Sequence, residues 1–185
     1  MKLADIHVDR LAVVYYPDPV LRKVCVEISE FDGQLEAVGR RMLELMRSDR
    51  GIGLAGPQVG LLLRLFVCNV TGDPKDDMIC VNPRLADFDG GAEMSEGCLS
   101  LPDVSVPVRR PESVTIHALD GAGRPFTRVA DGLLARVWQH ETDHLDARMI
   151  IDYMSTEAEL ANRRALKQLE QDYRRSSARK PARRR

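Results

Sequence analysis

The chain has 185 residues, enough for one domain, and its 44% hydrophobic content supports a core that a 5% aromatic share leaves largely to aliphatic side chains. No stretch approaches the roughly 18 consecutive apolar residues of a membrane-spanning helix, and Lys2, Asp5, Asp9 and Arg10 break up any signal-peptide core, so neither a transmembrane helix nor secretion is expected, and the cytoplasm is. Net charge is −1, but Arg174 to Arg185 holds seven basic residues and no acidic one; taking that +7 from −1 leaves −8, so an acidic body carries a basic tail.

Phe31 to Asp49 predicts the first helix. Leu35, Val38, Met42, Leu45 and Met46 share one face, Asp32 is a suitable N-cap, and Gly51 and Gly53 follow as stop signals. Leu63 to Val70 and Met78 to Val81 are strand-like runs. Prolines at 74, 83, 102, 107 and 111 punctuate the middle of the chain, which predicts short strands and long loops there. Ser113 to Leu119 alternates in the strand manner, and after the turn signals Asp120-Gly121 and Gly123, Phe126 to Val129 can return as a hairpin partner. Asp131 opens a second helix through Leu133, Leu134, Val137, Glu141, His144 and Leu145. A third runs from about Ser155 to Tyr173, with Glu157 favourable near its N-terminus. The expected class is α+β: short, mostly antiparallel strands around a central helix, plus a C-terminal helix. Residues 1–173 read as a single domain, and 174–185 as a disordered, solvated tail or a contact for RNA.

His140-Glu141-Thr142-Asp143-His144 is an H-E-x-x-H pattern on the second helix. Two histidines at i and i+4 share a helix face and can hold one metal ion, with Glu141 placed to reach a water beside it. A catalytic site needs a third protein ligand and an open position. Asp146, Asp152, Glu157 and Glu159 are carboxylate candidates, although each reads more simply as a solvated helix charge. His7 and His117 stand alone. Cys25, Cys68 and Cys80 read as small buried hydrophobes. Cys98, in Glu96-Gly97-Cys98-Leu99-Ser100, is the better third ligand, since a thiolate suits a borderline metal. The segment Gly51 to Gly60 carries four glycines, which imply a sharp turn or a close approach. Its Gln58 offers an amide donor for developing oxyanion charge.

These three segments resemble the signature motifs of the peptide deformylase family, G-x-G-L-A-A-P-Q, E-G-C-L-S and Q-H-E-x-D-H-L, in the family's order. The likeness extends to Pro17-Asp18-Pro19-Val20-Leu21-Arg22 and to Ala130-Asp131-Gly132-Leu133-Leu134, and covers roughly residues 11 to 155. Two departures stand out. Gly56 replaces the second alanine of the first motif, which predicts a looser loop, and Ala147 stands where a glycine is common after the metal helix.

The resemblance implies Cys98, His140 and His144 as metal ligands and Glu141 as general base and then general acid. It implies Gln58 and the Leu99 N–H as holders of the formyl oxygen, and Gly53 and Gly97 as backbone contacts. The methionine pocket is expected from Ile52, Met94, Leu133 and Val137, and Arg109 or Arg110 is weighed as a contact further along the substrate. The implied cofactor is one divalent ion, Fe2+ natively, with Zn2+, Ni2+ or Co2+ in preparations. The implied activity removes the formyl group from the formyl-methionine of nascent chains, with the ribosome as a partner through the C-terminal helix and basic tail. No DNA or membrane partner is expected. Two alternatives are a metallopeptidase acting on internal bonds and a non-catalytic ribosome-binding protein with a structural metal site.

Overall fold

The computed structural model describes residues 3–179. It has three helices, α1 (Gly33–Ser48), α2 (Gly132–Leu145) and α3 (Thr156–Arg179), and seven strands: β1 (Gly53–Ala55), β2 (Leu65–Cys68), β3 (Met78–Asp89), β4 (Ala92–Cys98), β5 (Leu101–Arg110), β6 (Ser113–Leu119) and β7 (Pro125–Asp131). All strand pairs are antiparallel. Five form one sheet in the order β1-β2-β3-β6-β7, and β4 with β5 forms a separate ribbon. The α+β class is as expected.

The Asp32 carboxylate accepts from Gln34 N at 3.0 Å and Leu35 N at 3.1 Å, satisfying two orphan donors at the start of α1. Leu35, Val38, Met42 and Met46 are fully buried beneath it. The helix is stopped by Arg50, not by the glycines: Arg50 takes the left-handed conformation at φ +58°, and Gly51 N closes onto Met46 O at 2.8 Å.

The prolines mislead in the middle of the chain. β3 has twelve residues and β5 ten, and the segment expected as loop is a hairpin. Pro83 falls at a register shift of β3, where no regular ladder bond is needed. Pro102 and Pro107 lie on the exposed face of β5. A two-stranded ribbon leaves alternate N–H groups outward, where a proline removes nothing. Val104, Val106 and Val108 occupy the opposite, buried phase.

Helix α2 lies on the sheet through Ala135, Trp138 and Leu145, which pack with Phe66, Cys68, Cys80, Val114 and Ile116. A second cluster joins α1 to β1 and β2, and a third joins the ribbon to the middle of α3. The third helix continues past Tyr173 to Arg179, six residues into the stretch expected as disordered tail; residues 180–185 lie outside those described. No described helix is long and apolar enough to cross a membrane.

Candidate metal centre and cleft

Two elements build the site. The ribbon ends in the turn carrying Cys98, Leu99 and Ser100, and α2 presents His140, Glu141 and His144 towards that turn. One ligand atom from each of Cys98, His140 and His144 lies within 4.8 Å of the others. Cys98 Sγ stands 3.3 Å from His144 Nε2, and the two imidazole rings meet edge to face at 5.1 Å.

The orientation of His140 is set from behind. Its Nδ1 meets the Glu96 carboxylate at 3.0 Å, which leaves Nε2 for the site. Glu96 is itself a buried hub. Arg110 approaches it through Nε at 2.6 Å and Nη2 at 3.0 Å, and Arg136 through Nη1 at 2.7 Å. Burial alone would raise its pKa, but the hydrogen bonds from His140 and Arg110 prevail and hold the carboxyl at about 2. Arg110 continues to Asp143 at 2.8 Å, and Asp143 accepts from the Tyr153 hydroxyl at 2.8 Å.

Glu141 is almost wholly buried, and its Oε2 has no hydrogen-bond partner. Burial pushes its carboxyl up to about 7. Burial and the charge of neighbouring His140 depress His144, which favours its neutral, lone-pair-bearing form. His144 Nδ1 is likewise without a partner.

Gln58 sits in a 3-10 turn, Gly56–Val59, that follows β1. Its Oε1 accepts from Ala55 N at 2.8 Å, which fixes the amide so that Nε2 faces Cys98 Sγ at 3.4 Å and Ser100 Oγ at 3.3 Å. The chain before Pro17 ties the two motifs together: Val14 N donates to Gln58 O at 2.7 Å, and Tyr16 N donates to Ser100 O at 2.9 Å.

A cleft of about 480 Å³ opens in front of this constellation. Gln58, Cys98, Leu99, His140 and Glu141 line it, as do Gly53 and Gly97 and the apolar residues Ile52, Met94, Leu133 and Val137. His144 lies behind that lining. The Leu99 N–H meets no acceptor among the described residues. Neither Arg109 nor Arg110 lines the cleft; both border a separate hollow on the far side of α2. Arg110, expected as surface or as a substrate contact, is buried.

Sequence reading missed Glu96, Arg110, Arg136, Asp143 and Tyr153 as a supporting network. One signal was available. Arg110 falls on the same alternating phase as Val104, Val106 and Val108, so a core-facing arginine is implied, and a core-facing arginine needs a buried carboxylate.

The residues fit a divalent ion. A thiolate and two imidazoles are a donor set for a borderline metal and leave an open position. Glu141, whose buried Oε2 has no hydrogen-bond partner among the described residues, lines the same cleft as Cys98 and His140.

The family model described as polypeptide deformylase matches residues 10–159. The peptide deformylase of Alkalilimnicola ehrlichii is 38% identical over 161 residues, spanning 86% of this chain and 89% of that protein. The crystal structure of a peptide deformylase from Legionella pneumophila superposes with a TM-score of 0.82 at 39% identity, covering 92% of this chain and 99% of that one. Arabidopsis thaliana peptide deformylase 1B, crystallised with an inhibitor, gives 0.85 at 36% identity, covering 95% and 98%.

Proposed function

We propose, from the premise that this chain belongs to the polypeptide deformylase family, that its cleft hydrolyses the formyl amide of N-terminal formyl-methionine on new polypeptides and releases formate. The observation that carries this reading is the meeting of Cys98, His140 and His144 within 4.8 Å at the wall of a cleft that also holds buried Glu141.

In this reading Cys98, His140 and His144 hold the metal. A bound divalent ion supplies Lewis acidity, polarising an oxygen and lowering the pKa of water. Ferrous iron is the native ion we propose, with zinc, nickel or cobalt able to take the same ligands. Glu141 Oε2 accepts the proton of the attacking water as its oxygen bonds to the formyl carbon, and returns it to the amide nitrogen as the carbon–nitrogen bond breaks. Gln58 Nε2 and the Leu99 N–H donate to the formyl oxygen as charge develops on it; losing one such donor costs on the order of a hundredfold or more in rate. Gly53 and Gly97 face the peptide backbone, and Ile52, Met94, Leu133 and Val137 take the methionine side chain.

The catalytic unit is one domain, and helix α3 carries a second role in this reading. Its exposed Arg163, Arg164, Lys167, Arg174 and Arg175 suit a ribosomal RNA surface in the cytoplasm. Salt-sensitive ribosome binding lost on truncation after Asp172 supports that partner, and unchanged binding removes it.

The deciding experiment is formate release from formyl-Met-Ala-Ser by protein purified without oxygen, with metal assayed on the same sample. Metal-dependent release that disappears in Glu141→Ala is expected, with metal content retained. No release from a sample holding one equivalent of ferrous iron overturns the reading in favour of a non-catalytic metal site.

A further inference from the structure

Two charges at the mouth of the cleft have no part in the chemistry above. Arg50 and Asp103 both line it, both are exposed, and neither side chain makes an ion pair or hydrogen bond among the described residues. The other arginine of the lining, Arg136, is buried and committed to Glu96 and to the carbonyls of Val108 and Ala92. Arg50 is therefore the one free cation that the described lining offers.

Its backbone station is fixed. Arg50 holds the left-handed conformation that ends α1, where an L residue costs about 1 kcal/mol or more relative to glycine. Gly51, next in the chain, cannot exchange places with it. A β-carbon at Gly51 would lie 2.7 Å from Leu99 Cδ1, so the segment is packed against the turn that carries Cys98 and Leu99. The cleft wall thus keeps an arginine at a position that favours glycine, and places its side chain at the rim.

The distance to the reacting group follows from the chain. Gly53 abuts Glu141, and Arg50 lies three residues before it. Three extended residues span at most about 10 Å, the length of two to three residues of an extended peptide. β1 is an edge strand of its sheet, so its outer backbone groups, apart from Ala55 N, which Gln58 Oε1 engages, face no strand and can take one up. A peptide whose first residue reacts beside Glu141 brings its second or third side chain to Arg50.

We propose that Arg50 is a specificity-determining residue that selects substrates with Asp or Glu at the second or third position; this rests on the deformylase reading. A guanidinium presents a planar fork that a carboxylate can match in bidentate fashion. The rim is exposed, so the effect is modest, about two- to fivefold in kcat/KM. It also weakens with salt.

The test compares kcat/KM of the metal-loaded protein for formyl-Met-Ala-Ser with peptides bearing Glu or Lys at the second or the third position. Glu is expected to exceed Lys about two- to fivefold at one or both positions, less so in about 0.5 M salt, and Arg50→Glu is expected to invert the order. The Glu/Lys ratio within each enzyme does not depend on how much protein is active. Equal rates for Glu and Lys in the parent protein, or a preference that survives Arg50→Glu, overturn the proposal. A preference for Lys that Asp103→Asn removes assigns the rim to Asp103 and also overturns it. Failure on every formyl peptide removes the deformylase reading and this inference with it, whereas turnover without charge preference removes the inference alone.

Discussion

Gly53 lies so close to Glu141 that a β-carbon on it would fall onto carboxylate oxygen Oε1. The glycine of the first motif is thus defined by the Glu141 carboxylate and not by a turn, since its own backbone is an ordinary strand. Gly53→Ala must displace either β1 or the Glu141 side chain. A displacement of about 1 Å at such a centre costs on the order of a hundredfold in rate. The expected result is a fall in kcat of that size with Cys98, His140 and His144 still binding metal in full. Near-normal kcat in Gly53→Ala would show that Glu141 has room to move.

Glu96 carries a second prediction. Replacing it by Gln leaves Arg110 and Arg136 buried without their carboxylate and releases His140 from its orienting partner. Removing one partner of a buried charge network costs about 3–5 kcal/mol. Loss of a group that orients a metal-ligating histidine costs about 10- to 100-fold in metal affinity. Urea unfolding and a metal titration of Glu96→Gln should therefore both shift. An unchanged metal affinity would mean that His140 holds its rotamer without Glu96.

The four cysteines separate by environment. Cys68 and Cys80 are fully buried, and burial pushes the Cys25 thiol up to about 12. At pH about 8, then, Cys25 stays protonated and unreactive in the folded protein, because thiolate is the reacting form. Cys98 is partly exposed and opens on the cleft. Protein stripped of metal should react with a disulfide reagent at one thiol, rebinding a divalent ion should protect it, and Cys98→Ser should remove it. Two or more fast thiols in the native protein would contradict the packing of the sheet.

How much of this was legible in the sequence differs by element. Helices declared themselves through period and caps: Asp32 and the face of Leu35, Val38, Met42 and Met46 suffice for α1. Strand β6 was legible at both ends because its alternation is unbroken by proline. The ribbon was hidden because Pro102 and Pro107 read as breakers, although Val104, Val106 and Val108 alternate between them and Arg110. The meeting of His140 and His144 was legible because their spacing is local. Glu96 with Arg110, Arg136 and Asp143 was not, because that network closes between the ribbon and α2, and no local period records contacts between elements.

The two departures from the family motifs predict opposite outcomes when reversed. Ala147 sits just past α2 with φ +62°, where Arg148 N closes onto Asp143 O at 2.8 Å in the manner of a left-handed helix cap. Left-handed backbone costs an alanine about 1–2 kcal/mol. Glycine escapes that cost but loses about 0.5–1 kcal/mol through its freer unfolded chain. Ala147→Gly should thus stabilise by about 0.5–1 kcal/mol, roughly 1–4 °C in Tm for a chain of this size. Gly56 is different. It was expected to loosen its loop, but a β-carbon there would lie 2.7 Å from Leu63 O and 2.9 Å from Leu61 O, both backbone atoms that cannot rotate away. The glycine allows the turn before Gln58 to pack directly on the chain leading into β2. Gly56→Ala should destabilise by about 1–3 kcal/mol, the usual cost of overpacking, and should lower kcat by moving Gln58. Thermal melts of the two single variants decide the matter. A loss of stability in Ala147→Gly would mean that the cap is unstrained, and a gain in Gly56→Ala would mean that the Leu61–Leu65 segment yields to admit the methyl group.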